Sequence, residues 1–217
     1  MRIISAILDL LFPPKCVFCA KVLSGEQYWC EKCADALHLT VEGGKRSGEY
    51  YEYCVSPLYY MGDVRKSLLR FKFRGATLYA EAYGKILAAC IRDHIDVQYD
   101  IVTWVPLSEK RKRERGYDQA KLVAVATASE LETELTETLR KPKNIRAQSE
   151  LKGKDERVAN IDGAYEAVDS ELLRDKCVLI IDDIITTGST LEECAKTLLA
   201  AGARSIVCAV VASGTFI

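Results

Sequence analysis

The spacing of apolar residues along the chain changes character several times. Residues 54–60, 101–106, 177–181 and 205–211 are short runs dominated by apolar and β-branched side chains, which predicts buried β-strands. Between them the apolar positions recur every three or four residues, the period of a helix with one buried face. That period holds over 64–73 (Val64, Leu68, Leu69, Phe71) and 81–95 (Ala82, Ile86, Leu87, Ala89, Cys90, Ile91). It returns over 118–135 (Leu122, Val123, Val125, Ala126, Leu131) and 190–201 (Leu191, Cys194, Ala195, Leu198, Leu199), the last closed by Gly202. Strands alternating with amphipathic helices predict an α/β fold, a mostly parallel sheet flanked by helices.

Three stretches stand outside this alternation. Residues 41–52 hold three glycines and several charges and predict a linker or an exposed hairpin. Residues 141–160 are polar and basic, interrupted by Pro142 and Gly153, and are the least structured part of the pattern. At the start, Ile3, Ile4, Ile7, Leu10 and Leu11 predict a short amphipathic helix packed on the body. Asp9, Pro13, Pro14 and the lack of a small-residue cleavage site argue against an export signal there. The expected organisation is an N-terminal helix with a Cys-rich module over 1–48 and an α/β domain over 49–217, in the cytoplasm.

Composition refines this picture only locally. With 49% hydrophobic and 28% charged residues the chain can bury a real core, and no apolar run is long enough to span a bilayer. Thirty basic and 31 acidic side chains leave the bulk charge silent about nucleic acid, so any such case rests on clusters. The nine cysteines are an odd number, and four of them form two CxxC pairs, which fits a metal site in a reducing compartment better than a disulfide framework. Cys16 and Cys19, then Cys30 and Cys33 after a ten-residue gap, supply four thiolates for a tetrahedral Zn²⁺. Four protein ligands leave no open position, so the zinc is expected to be structural; a redox dithiol is the competing reading of either pair alone.

The sharpest chemical motif is Val178-Leu-Ile-Ile-Asp-Asp-Ile-Ile-Thr-Thr-Gly-Ser-Thr190. A buried strand ends in two carboxylates and turns through Gly188 directly into a helix, the place where open α/β sheets bind ligands. Backbone N–H groups, the positive helix end and the hydroxyls of Thr186, Thr187, Ser189 and Thr190 suit a phosphate. Asp182 and Asp183 are acceptors for sugar hydroxyls, directly or through Mg²⁺. Together they describe a ribose-5-phosphate site; the alternative is an ordinary N-capped helix after an acidic turn. A second cluster follows the strand that ends in Trp104-Val105-Pro106: Lys110, Arg111, Lys112, Arg113 and Arg115 are five cations in six positions. They suit a diphosphate clamp, or else form a solvated helix face.

At this point the chain resembles known families. The 178–190 segment is similar to the 5-phosphoribosyl-1-diphosphate (PRPP) motif of type I phosphoribosyltransferases. That resemblance implies ribose contacts for Asp182 and Asp183 and 5-phosphate contacts for Thr186, Thr187, Gly188, Ser189 and Thr190. It also implies diphosphate contacts for Val105, Pro106 and Leu107; Asp182, Asp183 and Arg115 are the expected catalytic residues. Arg115-Gly-Tyr-Asp-Gln119, Phe71-Lys-Phe-Arg-Gly75 and the series Arg146, Gln148, Leu151, Arg157, Asn160 resemble the ComF (competence protein F) family, with Asp118 where Asn is usual. That family joins a Cys-rich N-terminal finger to a phosphoribosyltransferase domain. The resemblance implies a role in natural transformation, with single-stranded DNA and a helicase-type protein as partners, and makes 141–160 a mobile hood. Lys110, Arg111, Lys112 and Arg113, with Lys72 and Arg74, are the expected nucleic-acid contacts; phosphoribosyl transfer to a base or amine is the alternative activity.

Overall fold

A computed structural model of the protein describes residues 13–25, 27–142 and 163–214. The expected N-terminal helix and the Arg146 to Asn160 series lie outside them. The apolar runs pair into one parallel sheet, β1 (Cys54–Val55) and β2 (Leu58–Tyr59) beside β7 (Ser205–Ser213), then β6 (Cys177–Ile185), then β3 (Ile101–Trp104). Alternate residues of β6 enter two separate cores, as continuous apolar strands must when both sheet faces are covered. Leu179 and Ile181 pack with α2 (Gly62–Phe73), α3 (Tyr79–His94) and α5 (Gln119–Glu130). Val178 and Ile180 pack with Leu191, Cys194, Ala195 and Leu198 of α7 (Ser189–Ala200). The smaller elements are α1 (Glu31–Ala36), α4 (Glu109–Arg115), the pair β4 (Leu139–Arg140) and β5 (Glu166–Ala167), and α6 (Ser170–Leu173).

Three expectations change in detail. The 54–60 run splits into β1 and β2 because Pro57 has no N–H to give to the ladder. The helix expected over 118–135 stops at Glu130; Glu132 turns the chain at φ 55°, and Leu135 and Thr136 return to Val102 at the sheet edge. Finally, β6 runs four residues past Ile181, because β7 continues alongside it to Ser213 while β3 stops opposite Ile181. Past Ile181, at the carboxyl end of the sheet, β6 therefore keeps β7 on one side and loses β3 on the other.

The helices on one face sit close because Gly84 of α3 meets α5. A Cβ there would lie 2.5 Å from the Ala126 Cβ and 2.9 Å from the Thr127 nitrogen, so backbone would have to move. Gly84→Val is expected to cost about 3 kcal/mol or more, read as a lower denaturant midpoint.

Candidate functional site

Strand alternation places the two carboxylates of β6 on different faces. Asp183 continues the series Leu179, Ile181 toward α2, where its Oδ1 lies 2.9 Å from the Lys72 Nζ. Asp182 continues Val178 and Ile180 toward α7, and its Oδ1 also accepts the Asp183 N–H at 2.8 Å. Asp182 is half-buried, and its carboxyl is pushed up to about 8. Desolvation is the main cause, followed by the negative charge of Asp183, against a pull from Lys72. The site is therefore short of positive charge at Asp182, the condition a cation or a hydroxyl donor relieves.

The loop after β6 follows from its glycine. Gly188 adopts φ 87°, a region that side chains with a Cβ avoid, and the chain turns there into α7. Gly188 brings no side-chain oxygen to cap the helix, so the first-turn N–H groups face the turn together with the exposed Thr186 and Thr187. The Thr187 and Ser189 hydroxyls lie 3.0 Å apart on the same side.

Of the two readings of 41–52, the structure has the hairpin and not the free linker: the Gly48 N–H closes onto the Tyr51 carbonyl. Arg46 pairs with Cys54 as an isolated bridge, and its Nη1 donates to the Thr186 carbonyl at 3.3 Å. The backbone N–H groups of Glu49 and Tyr50 donate to the two carboxylate oxygens of Glu192 at 3.0 and 2.9 Å. Tyr51 is buried, with its hydroxyl 3.4 Å from where a Cβ on Gly188 would stand. Charged, glycine-rich sequence packs here because its polar groups are spent on one helix turn and one loop. Nothing local in the sequence announces a partner some 140 residues away.

Opposite this loop, Val105 gives its N–H to the Ile181 carbonyl at 3.0 Å, and the chain then leaves the sheet through Pro106 and Leu107. Asp118 holds that departure. Its Oδ2 accepts the Leu107 N–H at 3.0 Å while its Oδ1 caps α5 through the Lys121 N–H at 3.1 Å. A carboxylate serves here because both contacts need acceptors. Asp118→Ala is expected to cost about 2 kcal/mol through one orphaned donor and one lost cap, whereas Asp118→Asn, with a single acceptor oxygen, keeps one of the two. Thermal melts of the two variants check this.

The basic run forms α4, which buries no residue; Lys110, Arg111, Lys112 and Arg113 are all exposed along it, and Gly116 closes it at φ 81°. Arg115 is set apart from them, donating to the Gln119 Oε1 at 2.7 Å with its guanidinium 5.1 Å from the centre of the Phe73 ring. Lys72 is taken up by Asp183 and is largely covered, whereas Arg74 is exposed, so the structure separates these two expected nucleic-acid contacts. Lys141, at the start of the expected hood, sits over the Tyr165 ring at 4.5 Å. Its amine is pushed down, first by burial and then by Arg111.

The four sulfurs of Cys16, Cys19, Cys30 and Cys33 lie within 4.8 Å of one another, and those of Cys19 and Cys30 are 3.8 Å apart. Tetrahedral Zn–S bonds of about 2.3 Å put sulfurs about 3.8 Å apart, so the Cys19–Cys30 pair already has the zinc spacing and the widest pair must close by about 1 Å. Burial raises the Cys16 thiol, but the backbone N–H groups of Cys19, Cys30 and Phe18 outweigh it and bring it to about 7. Cys54, Cys90, Cys177, Cys194 and Cys208 are buried elsewhere, in the cores.

The matches to known proteins follow the same order of parts. A double zinc ribbon domain matches residues 7–52, and a phosphoribosyl transferase domain matches residues 118–215. Competence protein F of Haemophilus influenzae is 28% identical over 199 residues, covering 89% of this chain and 82% of that protein. The chain resembles the ComF family in its relatives and in the order of its parts. Competence protein ComFC of Bacillus subtilis is 28% identical over 159 residues, which span 68% of this chain and 58% of that longer relative. Among solved structures, glutamine PRPP amidotransferase from B. subtilis, complexed with ADP and GMP, is similar with a TM-score of 0.46 at 18% identity, over 65% of this chain and 30% of that one. The chain has a type I phosphoribosyltransferase-like fold, a parallel sheet covered by helices, with a four-cysteine site that fits structural zinc in its N-terminal ribbon. No helix among the described residues is long and apolar enough to cross a membrane.

Proposed function

We propose that the protein is a cytoplasmic competence protein that binds PRPP with Mg²⁺ and handles single-stranded DNA during natural transformation. The observation that carries the PRPP half is the joint placement, at one end of β6, of an electron-rich carboxylate pair and a glycine-turned helix start. In this reading the Thr186 to Thr190 loop takes the 5-phosphate and Asp182 and Asp183 take the ribose hydroxyls. Asp182 and Asp183 are the residues that would hold Mg²⁺, which would supply positive charge beside these carboxylates and the diphosphate. In the same reading Val105, Pro106 and Leu107, the last held by Asp118, take the diphosphate, and Arg115 is the cation offered to it. The names of the relatives support the competence role.

The DNA half rests on α4, whose four exposed cations run along an unburied helix; a helicase-type protein is the expected partner. Calorimetric titration of PRPP into the zinc-loaded protein should give one saturable, Mg²⁺-dependent site, and no binding at millimolar PRPP sinks the reading. Single-strand affinity should fall steeply with salt, with the slope reduced by about 0.7 for each of Lys110 to Arg113 neutralised. A slope that ignores those changes removes DNA from α4. Diphosphate release against a panel of bases, amines and DNA then separates a binding role from phosphoribosyl transfer.

A further inference from the structure

Helix α2 carries two cations two residues apart, and an α-helix turns about 200° over that interval, so Arg70 and Lys72 leave on opposite sides. Arg70 reaches the first zinc knuckle, its Nη2 donating to the Val17 carbonyl at 2.9 Å and to the Phe18 carbonyl at 2.5 Å. Val17 and Phe18 are the two residues between Cys16 and Cys19. Ser67, one turn earlier on α2, also donates to the Val17 carbonyl, so its own oxygen is left to accept from the Tyr83 hydroxyl at 2.6 Å. On the far side Lys72 pairs with Asp183. The same last turn is tied to the loop that faces β6, since the Tyr117 hydroxyl donates to the Phe71 carbonyl and Arg115 lies over Phe73.

We propose that α2 transmits the metal state of the four-cysteine site to the carboxylate pair, with Arg70 fixing the helix on the knuckle and Lys72 as the resident counter-charge of Asp183. The link to ligand binding rests on the PRPP reading above; the link between knuckle and Lys72 does not. The directions of the Val17 and Phe18 carbonyls are set when Cys16 and Cys19 grip one ion. Without it nothing ties the Cys16 and Cys19 sulfurs to the second pair, and the knuckle loses that constraint. Arg70 and Ser67 then lose acceptors in a covered position, where an unpaired donor is costly, and the helix must re-seat. Lys72 moves with it, and Asp183 is left to an incoming divalent cation. Arg70 and Lys72 are positioning residues in this scheme, acting through the helix and through Asp183.

The test reads the Lys72 amine directly. Limited acylation followed by peptide mass spectrometry gives its labelling rate relative to exposed Lys110, in zinc-loaded wild type, zinc-stripped wild type and zinc-loaded Arg70→Met. Lys72 should react about fivefold faster in the second and third, the factor expected for losing one ion pair, while Arg70→Lys stays near the wild-type rate. Global unfolding on stripping would expose every lysine, so the decisive sample is Arg70→Met with zinc bound and native circular dichroism. An unchanged Lys72 rate there overturns the proposal. PRPP titration of the zinc-loaded wild type runs alongside. If Lys72 responds but PRPP does not bind, the coupling stands and the ligand reading falls.

Discussion

Replacing Asp182 and Asp183 together by Ala lowers the affinity for PRPP and Mg²⁺ by at least about a hundredfold. Each carboxylate provides a charge-assisted contact worth about 1.5 to 3 kcal/mol, and the pair also holds the cation. Titration calorimetry of the double variant checks this. The single variant Asp182→Asn should show a second effect, on stability. The Asp182 carboxyl sits at about 8 in the fold against an ordinary 3.8, so the folded state holds a proton that the unfolded state has released. Stability of the unliganded protein therefore rises as pH falls from about 8 toward 4, and is lost as pH rises through the folded value. Asn removes the charge that burial and Asp183 oppose, so the variant should be more stable than wild type above pH 8, and its melting curve should flatten across that window. Binding of Mg²⁺ and PRPP favours the ionised form, so it should release a proton and tighten with rising pH. A wild-type melting temperature independent of pH between 4 and 8 would contradict the placement of this carboxyl.

Cys33→Ser should lose zinc and lower the melting temperature by about 8 to 16 °C. Structural zinc sites contribute folding free energy outright, and about 4 kcal/mol corresponds to roughly 8 to 16 °C in a chain of this size. The effect is large because the module is not a separate bead. Cys16, Val17, Phe18, Leu23 and Cys33 share one buried cluster with Leu68, Phe71, Tyr83, Leu179 and Ile181. Phe18 is 1% exposed and stands among them. Zinc content by a chromogenic chelator and melting by scanning calorimetry test this together. Loss of zinc without a shift in melting would mean that the ribbon packs independently of the metal.

Much of this was legible from one-dimensional pattern. Continuous apolar runs gave the sheet because both of its faces are covered, and the Asp pair, Gly188 and the helix start lie in one unbroken segment. The two CxxC pairs carry their geometry in their spacing. What pattern missed is held by contacts between distant segments. Lys72 sits among other cations in sequence, and only the helix turn that points it at Asp183 takes it out of their company. Arg46, Tyr51 and Glu192 join a glycine-rich stretch to the loop after β6 and the first turn of α7 through groups whose composition resembles any exposed hairpin. Asp118 stands where the ComF pattern that the sequence resembles has Asn. Its two backbone donors, Leu107 and Lys121, explain why a carboxylate serves there, and one of them lies eleven residues away in another turn.

The central claim is that the turn between β6 and α7 holds the 5-phosphate of PRPP. Backbone amide chemical shifts of the ¹⁵N-labelled, zinc-loaded protein test it most directly. On adding PRPP with Mg²⁺, the signals of Thr187, Gly188, Ser189 and Thr190 should move saturably, followed by Asp183, while those of Lys110 to Arg113 move little. Signals of the turn that stay in place while the α4 signals shift would contradict the account and assign the phosphate to the basic helix.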